Sequence, residues 1–446
     1  MDYGRRGGGD GSGSRSDRGG NGGGMLLLLY TSALSMGIAY GAHVPSVPVF
    51  AREVLNATYT EVGMVGMANY LPYAFFPLIV GLLLDRLNKG GILVAGVGMA
   101  LASIAMLSMT RNVLDLALIR AFSGVAHALF WPAAEAMISM KGYEHGDGND
   151  SNHRGSSSSR SGSSDGRGGD SSSSSSSSGS IGTVRSISRF TMAWVVGYMV
   201  GPLIGSSLFH LGYIQLFIYS SAMVIPALVC SIMLVSRYGH SMNVRSRKEV
   251  GKGTGLTIFS MVKGRVMLIA MITYYSASFA VLLSIVPSYM KDNGVDEHLI
   301  GMLFFIFGVA RLLTLFSIQI FARYEHISIL IASGAIASSM LIMHATPTPY
   351  HFGVALLALG FAFSIYFPIT LTMLTRNVPS VMIGSMVGLY ETIFGVGWAL
   401  GPLASGIVAD ALSIDAPYLA LFIVGMVIIP LYLMRSLRDG TIATSK

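Results

Sequence analysis

The chain of 446 residues is 52% apolar and only 11% charged, with a mean hydropathy of +0.61 and a net charge of +7. A soluble domain carries about 25% charged residues, so this chain lacks the polar groups to clothe a water-facing surface, and the soluble classes are excluded. Its single cysteine, Cys230, lies in an apolar run, which leaves no disulfide framework and no cysteine metal site.

Residues 1–24 are rich in Gly, Arg, Ser and Asp and are expected to be a disordered tail. Met25 stands directly before the first apolar run and is a candidate start of translation. A helix rises about 1.5 Å per residue, so roughly 20 apolar residues cross a bilayer. Runs of that order follow at Met25–Val47, Tyr59–Leu84, Gly91–Met109, Val113–Ser139, Phe190–Leu211 and Ile214–Val235. A serine-rich insertion at about 142–182 interrupts them and reads as a flexible linker or a place for regulatory phosphorylation. After a basic stretch at 236–265 come Val266–Pro287, Leu299–Phe321, Ile327–Met343, Tyr350–Leu374, Ser385–Ala411 and Pro417–Met434. The expected organisation is an all-α membrane protein of twelve helices. It has an N-terminal bundle at 25–235, a C-terminal bundle at 266–434 and a short tail at 435–446.

Lysine and arginine set the orientation, because they favour the cytoplasmic side. With the N-terminus inside, only Arg52, Arg111 and Lys291 of the 29 basic residues fall in outside loops, and Arg120 and Arg311 lie within helices. Both termini are therefore expected to be cytoplasmic in a multi-pass protein of the cell membrane. The basic charge is topological, with lipid head groups as its neighbours, and no nucleic-acid surface is implied.

The two bundles repeat one another. Gly197-x-x-x-Gly201-Pro202-x-x-Gly205 in the fifth helix returns as Gly397-x-x-x-Gly401-Pro402-x-x-x-Gly406 in the eleventh. Phe130-Trp131-Pro132 in the fourth returns as Tyr366-Phe367-Pro368 in the tenth, and Gly63-Met64 as Gly301-Met302. Such parallel internal repeats are common among secondary transporters. Spaced glycines make a smooth stripe for close helix approach, and a proline permits a bend.

Gly81-Leu-Leu-Leu-Asp85-Arg86-Leu-Asn-Lys89 resembles the loop between the second and third helices of the major facilitator superfamily. Arg120-x-x-x-Gly124 is similar to that family's fourth-helix motif, and the Gly197–Gly205 pattern resembles the one associated with its twelve-helix drug/proton antiporters. The second-half counterpart of the first motif shrinks to Phe321-Ala322-Arg323 without its acid, so a latch made by Asp85 and Arg86 would be one-sided. The resemblance implies two pseudo-symmetric six-helix bundles around a central cavity lined by helices one, four, seven and ten. Tyr40 and His43, then Tyr274, Tyr275, Ser276 and Ser278, then Ser364 and Tyr366 would supply its wall; plain helix packing is the competing role for each aromatic.

Ionisable groups at membrane depth are expensive and mark candidate sites. Helix four carries Arg120, His127 and Glu135. Arg120 and His127 lie about 20° apart around the helix, on one face with Gly124, and Glu135 is roughly 80° from His127. Arg120 and Glu135 are about 22 Å apart along the axis and do not pair. Arg311 lies near the middle of helix eight, and Glu391 is its expected counter-charge. Glu135 and Glu391 are the acids well within the spans and the candidates for proton coupling. Thr58-x-x-Glu61 reads as a capping box, and Asn56-Ala-Thr58 as a glycosylation sequon on the outer side.

The chain contains no HExxH, GxSxG or phosphate-binding glycine loop, so neither an enzyme nor an ATP-driven pump is expected, and no cofactor or metal is called for. The expected function is proton-coupled efflux of a small organic molecule by a monomer working through alternating access. An uptake permease on the same fold and a receptor or scaffold that has lost transport are the alternatives.

Overall fold

The computed structural model describes residues 17–84, 88–150, 175–238, 265–376 and 383–438. Among them the chain is helical, with no strand. Eleven segments are long and apolar enough to cross a membrane. In chain order these are α1 (Gly23–Glu53), α3 (Lys89–Met109), α4 (Val113–Ile138), α5 (Arg189–Leu211), α6 (Tyr213–Tyr238), α7 (Val266–Ser284), α8 (Glu297–Phe316), α9 (Glu325–Ala345), α10 (Pro349–Thr375), α11 (Met386–Ala411) and α12 (Ala416–Arg438). The 26-residue helix Tyr59–Leu84, here α2, fills the remaining place in the expected series. We call the end where α1 begins and α12 finishes the terminal face, and the opposite end the far face.

The helix starts are written in the sequence. Glu61 accepts from the Thr58 N–H at 2.8 Å and the Thr58 hydroxyl from the Glu61 N–H at 3.2 Å, which is the expected capping box. Asp296 caps α8 through the Leu299 N–H. The flanks of the fold differ from expectation. The helix that carries α1 begins at Asp17, inside the expected tail, and those carrying α4 and α5 run to Asp150 and start at Ser175, inside the serine-rich insertion. Once a turn exists, each added residue brings one hydrogen bond, so a helix propagates into a weak sequence that never nucleates one.

The lipid-facing surface is apolar: Leu118 on α4 is 62% exposed and Leu313 on α8 is 63% exposed. Membrane helices gain little from hydrophobic contrast and hold together by close packing, and glycine carries that packing here. Within the first half, α5 lies on α1, where a Cβ at Gly205 would stand 2.1 Å from the Ala42 carbonyl oxygen. Within the second half, α11 lies on α7 through Gly397 and Gly401. Both Gly-Pro helices also reach across to the other half. Pro202 and Ser206 of α5 abut Gly301 of α8, while Pro402 of α11 abuts Gly63 of α2. A Cβ at Gly406 would stand 2.2 Å from the Tyr59 carbonyl oxygen. The repeat seen in the sequence is thus a two-fold-like pair of seams, α5 on α8 and α11 on α2. Gly124 makes a further close approach, of α4 to Asn69 on α2.

Charge fastens the far face. Arg52 at the end of α1 meets Asp292 beyond α7 at 2.8 Å, and Lys291 meets Glu53 at 3.2 Å and also Glu297. Asp410 at the end of α11 accepts from the backbone N–H groups of Tyr59 and Thr60, capping α2 from the other half. Arg52–Asp292 and Lys291–Glu53 thus join the two halves on this face.

Candidate functional site

From Glu135 towards Arg120, α4 passes from exposure to burial. Glu135 is exposed, Trp131 and His127 are half-buried, and Arg120 is only 5% exposed. The same end holds Glu391, half-buried on α11, within electrostatic reach of Glu135. The far face is fastened by charge, and along this row of side chains exposure falls from the terminal end towards Arg120.

The first-half wall grows from α1, α4 and α5. Tyr40 shares a hydrogen bond with Ser123 at 3.1 Å, and its ring packs 4.0 Å from His127. His127 and Trp131 both lie against Trp194, which stacks on Tyr198. His43 binds the Ala39 carbonyl through Nδ1 and leaves Nε2 without a partner. Arg120 has Tyr40, Tyr70 and Tyr198 as its electrostatic neighbours, and its Nη1 meets no acceptor.

The second-half wall is an aromatic cluster. Tyr275 stacks on Tyr366 at 4.7 Å and contacts Phe363 and Phe394, and Phe279 sits between Phe363 and Trp398. Arg311 lies over the rings of Phe279 and Phe307 at 5.3 and 5.6 Å. Tyr70 and Tyr73 of α2 reach across the seam to Trp398, at 4.5 and 6.0 Å.

Several expected placements change. No ion pair joins Arg311 to Glu391; the arginine rests on phenylalanine faces, which supply cation–π attraction without a counter-charge. Glu391 has the Tyr73 hydroxyl as its hydrogen-bonding neighbour and Glu135 as its charged one. Tyr274 turns its hydroxyl towards Gly425 of α12, so its neighbour Tyr275 carries the wall on α7. Tyr366 keeps its ring in the wall but binds Ser333 of α9 through its hydroxyl. Ser276 and Ser278 bond back to Thr273 and Tyr274, and Ser364 to the Arg311 carbonyl, so these hydroxyls serve helix contacts. Lys89 opens α3; Asp85 and Arg86 lie outside the described residues, as do the side-chain surroundings of Gly81.

Tyr70, Tyr73, Trp194, Tyr198, Phe394 and Trp398 escape the sequence reading because an aromatic in an apolar run looks like packing. One signal exists for two of them: Tyr198 and Trp398 each directly follow the first glycine of a repeated Gly-Pro motif, at matching places in the two halves. Among the described residues no cluster of three or more metal-ligating side chains occurs.

Comparison with known proteins agrees with this architecture. The family model of the Major Facilitator Superfamily matches residues 29–140, 184–379 and 266–443. An uncharacterized MFS-type transporter of Methanocaldococcus jannaschii is 21% identical over 407 residues, covering 88% of this chain and 93% of that one. Crystal structures of the nucleoside transporter NupG superpose with a TM-score of 0.69, and of 0.73 for a point mutant of it. Each is 13% identical and covers 92% of this chain, and 98% and 99% of the respective structures, a likeness of fold alone. The two repeated bundles, the seams that join them and the family match over most of the sequence lead to one assignment: the chain belongs to the Major Facilitator Superfamily and is a transporter, not an enzyme.

Proposed function

We propose that the protein is a proton-coupled secondary transporter of a small organic solute, with Glu135 and Glu391 as the coupling pair. The observation that carries this is their placement. The two acids come from opposite halves, Glu391 lies within electrostatic reach of Glu135, and both border Tyr73. Two carboxylates that approach one another repel, and a proton held between them removes the repulsion. Closing the terminal face brings α4 and α11 together, so closure favours the protonated pair and opening favours its release. That linkage ties the proton to the rocking of the halves about the α5–α8 and α11–α2 seams.

Export is the direction we propose, on the likeness of Gly197–Gly205 to the antiporter pattern, with the terminal face cytoplasmic as the placement of Lys and Arg suggests. The test is a proton-flux assay in liposomes enclosing a pH-sensitive dye, challenged with lipophilic cations, sugars and organic acids. A substrate-evoked flux that is lost in Glu135→Gln and Glu391→Gln supports the reading. Substrate movement without proton movement refutes it and leaves a uniporter.

A further inference from the structure

Glu135 and Glu391 lie towards the terminal face, and the more buried part of the site is basic. Arg120 comes from the first half and Arg311 from the second, and both are electrostatic neighbours of Tyr198. Apart from tyrosines, neither guanidinium gains a favourable neighbour: Arg120 has Tyr70, Tyr40 and Tyr198, and Arg311 has Tyr275 and Tyr198. The other titratable groups facing Arg120 are His43 and His127, which supply no negative charge. Glu391 and Arg311 both border Tyr275, yet the acid forms no ion pair with the arginine.

The donors here are also unsatisfied. Arg120 Nη1, Arg311 Nε, the Tyr198 hydroxyl and Trp398 Nε1 are each buried with no acceptor among the described residues. Buried polar groups are nearly always paired, and this set of orphan donors, drawn from both halves around Tyr198, is one that an acceptor bound between them would satisfy. A guanidinium at membrane depth without a counter-charge is costly, and its planar fork matches the two oxygens of a carboxylate or phosphate. The walls beside these donors are flat rings, with Trp194 and Tyr198 on one side and Phe279 and Trp398 on the other.

We propose that the transported solute is an organic anion with an aromatic ring, its charged oxygens held by Arg120, Arg311 and Tyr198 and its ring between the aromatic walls. The inference rests on the transporter reading and names its substrate class. It also supplies a reason for the halves to close, because an anion gripped by one arginine from each half draws them together. Export of a monoanion in exchange for a proton moves two charges in the sense favoured by an inside-negative membrane.

The protein contains its own reporter, since its three tryptophans, Trp131, Trp194 and Trp398, all belong to these walls. The experiment titrates the full chain in detergent with para-nitrobenzoate, para-nitrobenzamide and para-nitrobenzylammonium, following the quenching of tryptophan emission. Saturable quenching by the carboxylate is expected, at least tenfold tighter than by the amide and absent with the ammonium. Arg120→Gln and Arg311→Gln should each weaken the carboxylate at least tenfold and leave the amide unchanged. Should either variant fail to give a monodisperse protein, Arg311→Lys and Tyr198→Phe replace it, and a loss of three-fold or more is expected from each. Equal binding of amide and carboxylate, preference for the ammonium, no saturable quenching, or indifference to these substitutions overturns the proposal. Proton flux evoked by cations or sugars, without anion binding, would overturn the substrate class and keep the coupling. Selective anion binding without any proton flux would do the reverse.

Discussion

Arg52 and Asp292 meet across the far face at 2.8 Å, joining the end of the first helix of one half to the short helix Val286–Asp292 that follows the first helix of the other. Both side chains are about a quarter exposed, so the pair alone contributes no more than about 1 kcal/mol. It works within a network. Asp292 also accepts from the Tyr59 hydroxyl at 2.8 Å, the Tyr59 ring lies under the Arg52 guanidinium at 4.5 Å, and Lys291 holds Glu53 beside them.

Asp292→Asn is expected to shift the balance towards the state open at the far face by about 1 kcal/mol, roughly fivefold in population. Spin-label distances between the far ends of α1 and α7 measure it. An unchanged distance distribution would show that the network fastens nothing.

The Lys291 ammonium makes the same face sensitive to alkali. Burial alone would lower its pKa, but the Glu297 and Glu53 carboxylates outweigh burial and hold it above the usual lysine value. A group raised in the closed state stabilises that state fully below its ordinary value, about 10.4, and the gain is lost as pH rises through the raised one. The lysine's contribution to closure should therefore stay level through neutral pH and fail only in strong alkali. In Lys291→Met, distances followed between pH 7 and 11 should lose that alkaline step.

Asp410→Ala removes the cap that α11 places on the start of α2, where an acid also meets the positive end of the helix dipole. A loss of about 1 kcal/mol is expected, read as a lower melting temperature and faster amide exchange at Tyr59 and Thr60.

Glycines in the seams and glycines on the surface should part company. Gly205→Ala would force a Cβ against the Ala42 carbonyl and is expected to destabilise by about 1–3 kcal/mol. Gly334→Ala on α9 has open space around it and should be neutral, or more stable by up to about 1 kcal/mol. Thermal melts of the two variants in one detergent compare them directly.

Tyr73→Phe removes the hydroxyl beside Glu391 while keeping the ring near Trp398. It should lower proton-coupled flux several-fold and leave the melting temperature within about a degree. In the pair Glu135→Gln and Glu391→Gln, the double variant should be no worse than either single, as expected for groups that act as one unit.

Much of this protein was legible in one dimension because the bilayer imposes one-dimensional rules. A span needs a fixed length of apolar sequence, basic residues choose a side, and glycines that permit close packing recur at helical spacing. The boundaries of α2 and α11, the Thr58–Glu61 cap and the correspondence of Gly197–Gly205 with Gly397–Gly406 all follow from such local rules. What only the tertiary structure decided is which side chains from different helices share a space. Sequence paired Arg311 with Glu391 by depth alone, because depth along a helix can be counted while azimuth against another helix cannot. Packing turned Arg311 onto Phe279, gave Glu391 to Tyr73 and Glu135, and placed Tyr275 rather than Tyr274 in the wall. The rotation of each helix about its own axis is set by the fit of its whole surface to its neighbours, and that information is spread over the entire chain.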